Sequence, residues 1–151
     1  MSQHRRTPTT LVLLLTAAAL VYLYVAGGSQ VAADQPGLAE LELAIAQPDA
    51  APATWRLFAQ RLHEAGRLDH AAVAYRRCLE SDPYDREVRL HCASVLALTG
   101  DAESFLEFMR DMVLIDAKLA VEVFNRPESK PYLARADFQA LQAEAVSQSM
   151  D

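Results

Sequence analysis

Residues 52–85 read PATWRLFAQRLHEAGRLDHAAVAYRRCLESDPYD, and the spacing within this stretch decides the fold. Trp55, Phe58, Ala59 and Leu62 recur at i, i+3, i+4 and i+7, which places them on one face of a helix. Gly66 follows that stripe and offers the left-handed backbone on which helices commonly end. Beyond it, Ala71, Ala74, Tyr75, Cys78 and Leu79 form a second stripe of the same period. Ala59 and Ala71 are small where two helix backbones have to pass closely. Pro83 cannot continue a helix and marks the hand-over to whatever follows. The stretch therefore predicts a helical hairpin closed by its own apolar faces.

The same pattern returns 34 residues later. Shifting the chain by that amount superposes Ala59 on Ala93, Leu62 on Leu96 and Gly66 on Gly100. It also superposes Asp69 on Glu103, Arg76 on Arg110 and Asp82 on Asp116. These are the small, apolar and turn positions that a hairpin needs. A fixed period of this length signals stacked supersecondary units. The series Trp55, Ala59, Leu62, Gly66, Ala71, Tyr75 and Pro83 resembles the tetratricopeptide repeat, in which each unit is a helix–turn–helix of 34 residues.

The resemblance implies an all-α stack, with residues 52–85 as a clear repeat and 86–119 as a looser copy. The second copy keeps Cys92, Ala93, Leu96 and Gly100, then Phe105, Met109, Met112 and Val113, but lacks the Trp and has Ala117 in place of the closing Pro. Residues 120–148 are expected to be capping helices carrying Leu133, Phe138 and Leu141, interrupted by Pro127 and Pro131. Leu38, Leu41 and Ile45 suggest a short helix capping the other end, so the helical domain spans 37–148.

Repeats of this family bind peptide segments of other proteins on a concave face lined by the first helix of each hairpin. Carried onto this chain, that lining is Arg56, Gln60, His63 and Glu64, then Glu87, Leu90, Ser94 and Leu98. The subgroup that clamps a C-terminal carboxylate is not expected: Arg56 and Gln60 only approximate its Lys and Asn, and His91 stands in place of another Asn.

Outward from the repeats, composition divides the chain. Residues 1–33 hold Arg5 and Arg6 and no acidic residue, whereas residues 34–151 set twelve Lys or Arg against twenty Asp or Glu. A net of eight negative charges without a basic stripe argues against nucleic-acid binding, which requires clustered cations. Ala is abundant, which favours helix, and no run alternates with period two between turn residues, so no sheet is expected.

Residues 1–10 read as a basic segment, and Leu11–Ala26 is apolar apart from Thr16 and the hydroxyls of Tyr22 and Tyr24. Residues 11–28 are thus expected to form a transmembrane helix near the lower length limit. Their nine Leu and Val residues favour insertion by about 3 to 5 kcal/mol. The alternative is a cleaved signal peptide, with Val31-Ala32-Ala33 before Asp34 as the cleavage site. No Cys follows the apolar run, so a lipoprotein signal does not apply. Residues 29–36 are then a linker. The basic flank predicts an N-terminus inside, with the helical domain outside the cytoplasmic membrane, and the Ala- and Arg-rich style suggests a bacterial source.

No catalytic constellation emerges. His63, His70 and His91 lack zinc-ligand spacing, and there is no phosphate loop or nucleophile elbow. Neither a metal nor another cofactor is expected. Cys78 and Cys92 should face each other across a hairpin; a disulfide there demands Cα atoms within about 7 Å, and the preferred reading is two buried small hydrophobes. The spacing is not Cys-x-x-Cys, which disfavours a thiol-redox enzyme. The expected function is non-enzymatic: an anchored adapter or assembly factor for an envelope complex, with self-association into an envelope structure as the alternative. Leu38–Gly100 also looks like the repeat domains of membrane-anchored factors in cytochrome c maturation; secretion and pilus systems fit equally.

Overall fold

Each break in the apolar periodicity becomes a helix end. The computed structural model describes residues 36–150; the expected basic segment, the apolar segment 11–28 and all but the last residue of the linker lie outside them. Among the described residues, seven α-helices and one 3-10 turn follow in order: α1 (Leu38–Ile45), α2 (Pro52–Glu64), α3 (Leu68–Ser81), α4 (Arg86–Thr99), α5 (Ala102–Ile115), α6 (Ala117–Phe124), the turn (Pro127–Tyr132) and α7 (Ala136–Ser149). No strand occurs among the described residues. None of the described helices is long and apolar enough to cross a membrane.

The helix ends have identifiable causes. Pro52 opens α2, where a missing N–H costs nothing. Past its end the Gly66 N–H donates to the His63 carbonyl and the Arg67 N–H to that of Leu62, both at 2.9 Å. This pair of reverse bonds is the Schellman arrangement, and Gly66 supplies the φ of +71° that it requires. Gly100 ends α4 in the same backbone region, at φ +83°. Three aspartates begin the next helices. Asp85 accepts from the Val88 N–H at 3.0 Å, Asp101 from Glu103 and Ser104, and Asp116 from Leu119 at 2.9 Å. Each satisfies donors that a helix N-terminus otherwise leaves open.

Packing follows the stripes. α2 lies along α3, α3 along α4, and α4 along α5, while α1 covers part of α2. Ala59, Leu62, Ala71, Ala74, Tyr75 and Cys78 are buried between the first two of these pairs, and Trp55 is half-buried at the edge, its ring 6.3 Å from Phe58. The looser copy is just as well filled: Cys92, Ala93, Phe105, Met109 and Met112 are fully enclosed.

Beyond Asp116 the chain departs from the 34-residue pattern. α6 has only eight residues, and Pro127 and Pro131 shape a 3-10 turn that packs on α4 and α6 before α7 returns along α5 and α6. Four aromatic rings lock this end. Phe138 lies 5.3 Å from Phe105, 5.3 Å from Tyr132 and 6.5 Å from Phe124, and the Tyr132 hydroxyl donates to the Ala97 carbonyl at 2.6 Å. Residues 120–148, expected as capping helices, contribute Phe124, Tyr132 and Phe138 to this aromatic plug.

Candidate interaction surface

α2 and α4 present the side chains expected to line a binding face, and the structure sorts them into three groups. Gln60, His63 and Leu90 are half-buried, and Leu98 is exposed. Gln60 and His63 make no side-chain hydrogen bond or ion pair within the described residues, and Leu98 is 46% exposed, while Leu90 packs partly against the core. Arg56, Glu64 and Glu87 are engaged. Arg56 pairs with Asp85 and reaches Glu87 at 3.7 Å, which ties α2 to the start of α4. Glu64 pairs with Arg61 at 2.6 Å.

Ser94 forms the third group and corrects the expected lining. It is buried, with an unpartnered Oγ, because α4 is flanked by α3, α5, α6 and the 3-10 turn together. It belongs to the interior rather than to the lining.

Tyr75 and His91 join the two hairpins beneath this face. Their rings stack 5.8 Å apart and 12° from parallel. Burial, reinforced by the charges of Cys78, Cys92, Glu64 and Glu87, pushes the Tyr75 phenol up to about 12. His91 also lies 3.9 Å from Glu87.

Cys78 and Cys92 are free thiols, both buried, and no disulfide joins them. Burial raises the Cys78 thiol and pushes that of Cys92 up to about 12. A thiol held protonated at neutral pH is a poor nucleophile, which is the wrong direction for redox chemistry. It also fixes a pH dependence. The folded Cys92 keeps its proton above its ordinary value of 9.0, so the unfolded chain ionises first as pH rises. Stability from this thiol is complete below about pH 9 and falls by on the order of 1 kcal/mol per pH unit up to about pH 12. Denaturant midpoints measured from pH 8 to 11 should decline accordingly, and Cys92→Ala should flatten the decline without abolishing it, since Tyr75 ionises over an overlapping range.

A feature absent from the sequence reading lies on the other side of the hairpins. Between α3 and α5 runs an open groove of about 440 Å³. Leu79, Phe108, Leu114 and Ile115 supply its apolar surface, with Arg76 and Glu80 from α3, Glu107 and Asp111 from α5, and Arg89 reaching in from α4. Arg89 is buried, and its Nε donates to the Pro83 carbonyl. No group of three metal-ligating side chains occurs among the described residues.

The geometry of α2, α3 and α4 meets an independent comparison. A family model for the tetratricopeptide repeat matches residues 52–95. Residues 52–95 carry a tetratricopeptide-type repeat. The matched segment takes in α2, α3 and α4 as far as Val95, so the family pattern covers the clear repeat and opens the second. Comparison with curated proteins and with solved structures gave no match. Tetratricopeptide repeats are in general non-catalytic modules through which proteins bind one another, and nothing in the described residues shows an enzymatic activity.

Proposed function

We propose that the chain is an anchored interaction module, an adapter or assembly factor that presents the α2–α4 face to a partner in an envelope complex. The observation that carries this reading is the tetratricopeptide repeat at residues 52–95, whose first helix leaves Gln60 and His63 part-exposed with no side-chain hydrogen bond or ion pair among the described residues. The apolar segment 11–28 would hold the module at a cytoplasmic membrane with the helical domain on the outer side. Anchoring confines the binding face to the bilayer and raises its effective concentration for membrane-bound partners. Cytochrome c maturation, secretion and pilus assembly are processes with that requirement.

Affinity capture of the detergent-solubilised full chain tests the reading against a Gln60→Ala, His63→Ala, Leu90→Ala variant. Arg56 is left in place because it ties α2 to α4. The expected result is one membrane or exported protein retained by the wild type and reduced at least tenfold by the variant, with both proteins folded by circular dichroism. Equal retention by both would place binding on another face.

A further inference from the structure

We draw no further inference here: the strongest candidate, the open groove between α3 and α5 lined by Leu79, Phe108, Leu114 and Ile115, has walls of mixed charge, and nothing in the structure shows what covers it.

Discussion

Replacing Phe138 by Ala is expected to cost about 3–5 kcal/mol of stability, the range for emptying a phenyl-sized site in a core that cannot collapse around it. The ring is completely buried and is the one member of the aromatic plug that touches all the others. It contacts Phe105 of α5, Phe124 of α6 and Tyr132 of the 3-10 turn, and the Arg135 guanidinium lies 5.8 Å from its centre. Neighbours held by three separate elements cannot all move inward, so the cavity persists. A helical stack depends on its ends, because a terminal unit has one neighbour instead of two. The effect should therefore appear as a lower urea midpoint together with faster proteolysis after residue 125. Against a typical total of about 5–15 kcal/mol, the loss leaves the domain marginal at 37 °C. A change below about 1 kcal/mol would mean that α7 is not part of the cooperative unit.

Asp85→Ala is the second large expected effect, at about 1–2 kcal/mol. Two roles meet in this side chain, which is 16% exposed. Its Oδ1 caps α4 through the Val88 N–H at 3.0 Å, and loss of such a cap costs about 1 kcal/mol. Its Oδ2 pairs with Arg56 of α2. Because Arg56 is 41% exposed, the pair itself contributes modestly after solvent screening. Removing the carboxylate nevertheless leaves that guanidinium beside only the more distant Glu87. A double-mutant cycle with Arg56→Ala separates the two roles: the cap portion survives in the Arg56→Ala background and the pair portion vanishes. Asp85→Asn should recover most of the cap and little of the pair.

How much of this was legible in the residues depends on the range of the interaction. The helices were readable because their causes are local: Gly66, Pro83 and Gly100 stop them, and the stripes from Trp55 to Leu62 and from Ala71 to Cys78 set their faces. The tail was readable only in outline. Leu119–Phe124 marks α6, but nothing local says that Phe138 will meet Phe105, because that contact is fixed by how tightly Pro127 and Pro131 turn the chain. The interaction surface was harder still. Family position put Arg56 and Ser94 in the lining, whereas the cover over α4 buries Ser94 and a tie to Asp85 engages the part-exposed Arg56, both long-range effects. The groove between α3 and α5 went unread because it forms between two second helices, whose outward residues carry no period that separates a groove wall from a solvated face.

A partner seated on the α2–α4 face should be caught there by residue-resolved photo-crosslinking in intact membranes. A photoreactive side chain would be placed singly at Gln60, His63 or Leu90, and for comparison at Gln139 on the exposed side of α7. The expected result is one shared adduct of the same mass from positions 60, 63 and 90 and none from 139. Adducts confined to 139, or no adduct from the α2 and α4 positions while the captured partner remains bound, would contradict it.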